Sequence, residues 1–244
     1  MEPEAYLDMA AVEARHWWFA GRRRILAALI GSLKLPADAR ILELGSGTGG
    51  NFALLTQFGS VTAVEMNETA REISKARGGE AAVHHGMLPG NLPFEGHEFD
   101  LVCLLDVLEH VEADEAALRE IRGLLAPGGR ALITVPAHPS LFGPHDIALH
   151  HKRRYTSAEL AAKLRAAGLQ VQKLSFMNMA LAPLAFALRW LDRLRGAKQA
   201  SGASIPPGGV NTLFTWMFGA EAWVLPRANL PFGLSLLAVV SAAE

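Results

Sequence analysis

An excess of charge of either sign is missing from this chain: 23 basic residues face 24 acidic ones over 244 residues, for a net charge of -1. With no global positive field, nucleic acid is not the partner that electrostatics would select. Cysteine is nearly absent. Cys103 stands alone in an apolar run, so it forms no intramolecular disulfide and reads as a small buried hydrophobe. A reducing, cytoplasmic setting is the matching expectation. The opening Met1-Glu2-Pro3-Glu4 lacks a basic segment followed by an apolar one, so no secretory leader is expected. Long hydrophobic runs are missing as well. The uncharged stretches Leu174–Leu188 and Ala228–Ala243 are broken by Pro183, Pro231 and Gly233. Both fall short of the about 20 apolar residues of a membrane span. No internal repeat or low-complexity tract occurs. What remains is a folded composition, 50% hydrophobic and 19% charged, of a length that suits one α/β domain with insertions.

Hydrophobic periodicity orders the chain. The first 35 residues read as helical: Tyr6, Met9, Val12, His16 and Trp17 share a face that Glu13 interrupts, and Ile25, Leu26, Leu29, Ile30 and Leu33 form a cleaner one. From Arg40, strand and helix patterns alternate. Strands are expected at Ile41–Leu44, Val61–Glu65, Ala81–His84, Phe99–Leu105 and Ala131–Val135, with helices near Asn51–Gln57, Glu68–Ala76 and Asp114–Leu125. The strands lack polar alternation, as in a parallel sheet buried on both faces. Pro136–Tyr155 is irregular. Thr156 or Ser157 caps a helix, with Glu159 placed for a capping box, and Gly168 stops it. Leu169–Phe176 reads as a sixth strand and Leu234–Ala242 as a seventh, too apolar for a sheet edge. Between them lies an apolar, helical insertion broken at Ser201–Gly209, a flexible stretch.

The chemistry gathers on Glu43-Leu44-Gly45-Ser46-Gly47-Thr48-Gly49-Gly50-Asn51, which follows a strand and opens a helix. Glycines there let the chain turn sharply and bring its backbone close to a ligand. Glu65 ends the next strand, 20 residues after Gly45, where a carboxylate can accept from both hydroxyls of a ribose. Gly45, Gly47 and Gly50 also satisfy the dinucleotide fingerprint, so a nicotinamide-dependent oxidoreductase is a competing reading. The Glu43 carboxylate suits a cationic ligand group better than a pyrophosphate.

This series continues with Asn91-Leu92-Pro93-Phe94, Phe99-Asp100-Leu101-Val102, Asp106-Val107-Leu108-Glu109-His110-Val111 and Leu125-Ala126-Pro127-Gly128-Gly129. In order and spacing it resembles class I methyltransferases that use S-adenosylmethionine, of the broad type 11/23 group. The resemblance is specific over about residues 38–136 and looser through the last strand. It implies an α/β, Rossmann-like fold: a seven-stranded, mostly parallel sheet whose antiparallel last strand lies between the fifth and sixth. It implies one domain: an N-terminal helical lid (1–37), the core (38–176), the apolar helical insertion (177–228) and the final strand (229–244). S-adenosylmethionine is the implied cofactor. Glu43 would face its methionine end, with Gly45, Ser46, Gly47, Gly49 and Asn51 in the loop beneath. Glu65 would hold the ribose and Met66 would pack on the adenine. Asp106 would sit near the methionyl amine or the acceptor, or cap a helix. Relatives often place an aspartate after the third-strand glycine, but this chain has Gly86-Met87-Leu88. Met87 and Leu88 would therefore hold the adenine by backbone and apolar contact. Glu109 and His110 read as structural.

Methyl transfer is an in-line displacement at an already activated carbon, so alignment and exclusion of water matter more than a catalytic motif. Two segments are candidates for the acceptor, expected to be a small apolar or amphipathic molecule such as a natural product, quinone or lipid-linked intermediate. In His16-Trp17-Trp18-Phe19-Ala20-Gly21-Arg22-Arg23-Arg24, Trp17 or Trp18 could close over the cofactor, stack on the acceptor or only pack the helix, and the arginines could bind an anionic acceptor, lipid headgroups or only solvent. In His145-Asp146-Ile147-Ala148-Leu149-His150-His151-Lys152-Arg153-Arg154-Tyr155-Thr156, His145, His150 or His151 and Tyr155 are expected to line the pocket. One histidine, of intrinsic pKa about 6.5, would take the acceptor's proton. Arg153 or Arg154 would orient a carboxylate or phosphate. A metal site of His138, His145, Asp146 and His150 matches no defensible ligand spacing, so no metal is expected. The aromatic insertion (Phe176, Met177, Met179, Phe186, Trp190, Phe214, Trp216, Met217, Phe218, Trp223) could roof the pocket, pair two subunits as a homodimer, or make peripheral membrane contact. A catalytically silent module binding a partner or membrane is the non-enzymatic alternative.

Overall fold

The computed structural model describes residues 3–79, 81–94, 96, 98–187 and 205–243. Seven strands form one sheet: β1 (Arg40–Leu44), β2 (Ser60–Val64), β3 (Ala82–His84), β4 (Phe99–Leu105), β5 (Leu125–Pro136), β6 (Leu169–Met177) and β7 (Ser235–Ala242), in the order β3-β2-β1-β4-β5-β7-β6. Strands β3 to β5 pair in parallel, and β7 runs antiparallel between β5 and β6. That is the class I methyltransferase topology.

Alternate residues of the central strands enter opposite layers. Leu42, Leu44, Val102 and Leu104 join one apolar core, while Ile41, Leu101, Cys103 and Leu105 join the other. Both faces are buried, which is why these strands read as continuous apolar runs. The first core is covered by α5 (Asp114–Gly123) and α7 (Ser157–Ala166), through Leu118, Ile121, Leu160 and Leu164. The Thr156 hydroxyl accepts from the Glu159 amide at 3.1 Å and starts α7. The second is covered by α2 (Trp17–Ser32), through Ile25, Leu26, Leu29 and Ile30, and by α8 (Gly208–Gly219), through Phe218. These helices approach closely at Gly21, where a Cβ would lie 2.7 Å from the Phe218 ring.

Three differences from the sequence reading have local causes. The N-terminal region is two helices, α1 (Pro3–Val12) and α2, because the extended His16 breaks it and its Nδ1 accepts from the Trp18 amide. Strand β5 begins at Leu125 because Phe99 pairs with Leu125 before a register shift, so the Pro127-Gly128-Gly129 turn lies inside the strand. The irregular Pro136–Tyr155 segment contains a 3-10 turn (Pro139–Leu141) and a short helix, α6 (Pro144–Ala148). Two shorter helices, α3 (Phe52–Leu55) and α4 (Glu68–Arg77), follow β1 and β2. Residues 182–187 are helical, and α8 runs into a 3-10 turn, Ala220–Trp223. Trp190 and residues 201–204 of the Ser201–Gly209 break lie outside the described residues, and Gly208 and Gly209 open α8.

Candidate active site

The carboxyl ends of β1, β2 and β4 converge on the glycine loop. Gly45 adopts φ +71°, and a Cβ there would lie 2.6 Å from the Val107 side chain, so only glycine lets the loop pass under the β4 turn. Gly47 and Gly49 also have positive φ. Glu65 fixes the loop: one oxygen accepts from the Gly47 amide and the other from the Asn67 amide, both at 2.8 Å. Each oxygen keeps a second lone pair for a ribose hydroxyl. Burial raises the pKa of Glu65, and these backbone amides oppose the shift.

Glu43 is fully buried at the end of β1. Its Oε1 accepts from Asn51 Nδ2 at 2.7 Å. Its Oε2, Ser46 Oγ and Asn51 Oδ1 are buried with no hydrogen-bond partner. Three orphaned polar atoms at one loop mark a place for a polar ligand group, and an ammonium satisfies acceptors of this kind. Burial pushes the Glu43 pKa up to about 7. Met66 and Met87 expose more than two fifths of their surface and are free to pack on an adenine. Leu88 turns partly into the core instead. The donors, acceptors and apolar surface therefore fit S-adenosylmethionine.

The N-terminal helix closes over this loop. Burial and the nearby Glu65 charge raise Tyr6 to about 12. Glu13, just past α1, accepts from Thr48 Oγ1 at 2.6 Å, and Arg77 of α4 pairs with Glu13 and donates to the Ala10 carbonyl at 2.7 Å. The glutamate that interrupts the apolar face in sequence is thus the latch between lid and loop.

Asp106, at φ +60° beyond β4, forms an ion pair with Arg22 of α2. The 3-10 turn that follows (Leu108–His110) has no side-chain cap, so the capping role for Asp106 is not what the structure shows. The Arg22 guanidinium lies 4.4 Å from the centre of the Trp18 ring. Next to Asp106, Glu109 is fully buried and neither of its oxygens has a partner. Burial, then the Asp106 charge, raises its pKa well above the carboxylate range. His151 Nε2 lies 4.0 Å from Glu109, and its Nδ1 lies 3.0 Å from Asp146. Burial would raise the pKa of Asp146, but hydrogen bonds from His151 and Arg154 overcome it and hold that carboxyl below its ordinary range. His110 packs edge-on against His151, and burial, then His151, lowers its pKa to about 4.

Among the described residues, Glu109, His110 and His151 can bring ligand atoms within 4.8 Å of one another. This is not the set weighed from sequence. Arg22 and Arg154 already act on Glu109 with positive charge. Their charge favours the ionised form and opposes the burial that raises its pKa.

The acceptor candidates separate. His151 joins the β4 edge, whereas His150 is exposed and His145 lies on α6. Tyr155 is fully buried, and its hydroxyl donates to Asp114 at 2.9 Å, so it is a core residue and lines no pocket. Arg154 is buried, donating to Asp146 at 2.8 Å and to the Ala137 carbonyl at 3.2 Å. Arg153 pairs with Asp114 at 3.1 Å. Both arginines hold protein carboxylates and are not turned to an acceptor. Trp17 packs edge-on against Phe214 and Phe218 and so joins α2 to α8.

A model of the methyltransferase domain family matches residues 14–174. The chain belongs to the class I S-adenosylmethionine-dependent methyltransferases. Its relatives include a ubiquinone biosynthesis O-methyltransferase of Xanthomonas axonopodis pv. citri, 30% identical over 71% of this chain and 84% of the relative. Solved structures of the same fold include a TehB-like methyltransferase of Corynebacterium glutamicum (TM-score 0.56, 18% identity, 91% of this chain and 87% of that one). Another is an S-adenosylmethionine-dependent methyltransferase of Clostridium acetobutylicum (TM-score 0.60, 10% identity, 92% of each chain). Arg22 pairs with Asp106, Glu13 with Arg77 and Asp146 with His151 around this candidate site, and sequence reasoning missed those pairings. The signal for Arg22 was its spacing: Trp18, Arg22, Ile25 and Leu29 share one helical face, so Arg22 turns inward with them.

Proposed function

We propose that this methyltransferase methylates a hydroxyl oxygen on a small apolar or amphipathic acceptor, and that His151 receives the hydroxyl proton. The observation that carries the reading is the Asp146–His151 pair set over the Asp106–Glu109 edge. Asp146 holds the proton on Nδ1 and leaves Nε2 as a base facing the site. The name of the Xanthomonas relative, an O-methyltransferase, supports the same chemistry.

When bound, S-adenosylmethionine supplies a methyl group already activated by its sulfonium. Glu43, Ser46 and Asn51 would hold its amino-acid end, Glu65 the ribose, and Met66 and Met87 the adenine. Tyr6 and Glu13 keep water from the loop. As the acceptor oxygen takes up the methyl group the cofactor would supply, His151 Nε2 would take its proton. The ionised Asp146 at Nδ1 then balances the imidazolium charge. His138 stacks on Phe176 with centroids 5.5 Å apart and meets Phe186 edge-on, giving an aromatic wall beyond β5 for an apolar acceptor.

The test is His151→Gln assayed on a panel of phenols and catechols of graded acidity. Loss of general-base catalysis lowers kcat roughly 10²–10⁴-fold. The loss should shrink for more acidic phenols and at higher pH, with KM little changed. A uniform loss across acidity and pH, or none, would discard the role. Calorimetric titration with S-adenosylhomocysteine, strong for the wild type and lost in Glu65→Ala, tests the cofactor half separately.

A further inference from the structure

The helix that closes the second core carries apolar residues on its outer face as well. The inner face of α8 is fully engaged. Asn211 accepts from the Trp17 amide at 2.9 Å and donates to the Arg15 carbonyl at 2.8 Å, and Phe214 and Phe218 pack on Trp17. Turned the other way are Val210, Leu213 and Trp216, three residues apart on α8, followed by Trp223 and Val224 beyond it. Trp216 is 61% exposed and Trp223 76%. A surface helix normally turns its polar side to water, so this stripe asks for an apolar neighbour.

The charge around the stripe is of one sign. Residues 14–37, which contain α2, hold no acid, and residues 205–243 hold only Glu221. Glu221 is buried, and its carboxylate accepts from the amides of Asn178 and Met179, both at 2.7 Å. The cations are at the rim. The Arg24 guanidinium lies 5.3 Å from the centre of the Trp216 ring, and Arg227 donates to the Trp223 carbonyl at 3.0 Å. Exposed tryptophans, each beside an arginine, with no acid but the buried Glu221 in residues 14–37 and 205–243, match an anionic lipid headgroup layer over acyl chains. A second copy of the chain fits poorly, because a two-fold contact would set this acid-free, cationic surface against itself.

We infer that the outer face of α8 and the turn after it (Val210, Leu213, Trp216, Trp223), with Arg24 and Arg227, docks this methyltransferase on an anionic bilayer surface. The inference is independent of the acceptor's identity and of the role of His151. Docking of this kind would let an apolar acceptor pass from the lipid to the enzyme.

The experiment is co-sedimentation of the full chain with phosphatidylcholine vesicles, with and without phosphatidylglycerol. The variants are Trp216→Ser/Trp223→Ser and Arg24→Gln/Arg227→Gln, each first shown to bind S-adenosylhomocysteine as the wild type does. Wild type should sediment with the anionic vesicles only and be released by salt. Each arginine removed should weaken binding roughly fivefold, and the double tryptophan variant should abolish it. No sedimentation of wild type, or sedimentation that both variants retain, overturns the inference. So does a dimer in free solution that the tryptophan variant dissolves, since the face would then be covered by a second copy.

Discussion

Glu43 ties protein stability to cofactor binding through one proton, and Glu43→Gln makes the link measurable. Burial raises its pKa from 4.5 to about 7 in the folded protein. A raised folded pKa means stability that is whole below pH 4.5 and lost as the pH climbs through 7. A shift of this size corresponds to about 3 kcal/mol. Most of it falls between pH 5 and pH 8, so the cofactor-free wild type should lose the larger part of this stability there through this group alone. Glutamine keeps an oxygen to accept from Asn51 and carries no charge, so the variant should be spared that loss. Other carboxyls titrate in both proteins and cancel in the difference. Urea unfolding at pH 5 and pH 8 reads the result as a stability gap that opens in the variant's favour at the higher pH. A bound ammonium restores the ionised form, so S-adenosylmethionine affinity should rise with pH up to about 7 in the wild type and stay flat in the variant. An equal stability offset at both pH values would refute the assignment of a buried, neutral Glu43.

Arg22→Met leaves Asp106 without its cation and should cost roughly 2–4 kcal/mol in chemical denaturation. Adding Asp106→Asn should restore most of that, and strict additivity would disprove their coupling. Asp146→Asn should destabilise by roughly 2–4 kcal/mol above pH 5, since a depressed carboxyl pKa gives stability that is lost only as the pH falls. The wild-type advantage should therefore fade in acid melts, and a constant gap would contradict the linkage. Tyr155→Phe should cost about 1 kcal/mol and leave kcat unchanged. A large fall in kcat with intact stability would return that tyrosine to the catalytic set.

The sheet was legible in the sequence because its strands are buried on both faces and its turns use glycine. Gly45, Glu65 and the apolar Leu234–Ala242 each have a local physical signature: a positive φ, a carboxylate at a strand end, an apolar run that cannot lie at an edge. The chain around the cofactor loop is continuous, so local patterns suffice there. The proposed acceptor side brings together Arg22 on α2, Asp106 and Glu109 after β4, and Asp146 and His151 beyond β5. No spacing in the chain relates these segments. Periodicity does settle which residues turn inward, and here it would have moved Arg22 from the solvated face to the site. It does not distinguish Arg153 and Arg154, adjacent in sequence, one holding Asp114 and the other Asp146. In the segment from 145 to 155 a run of charge and histidine looks functional throughout. Much of it holds protein carboxylates instead, and the burial of Asp146 between His151 and Arg154 is what singles out His151 in the proposed mechanism.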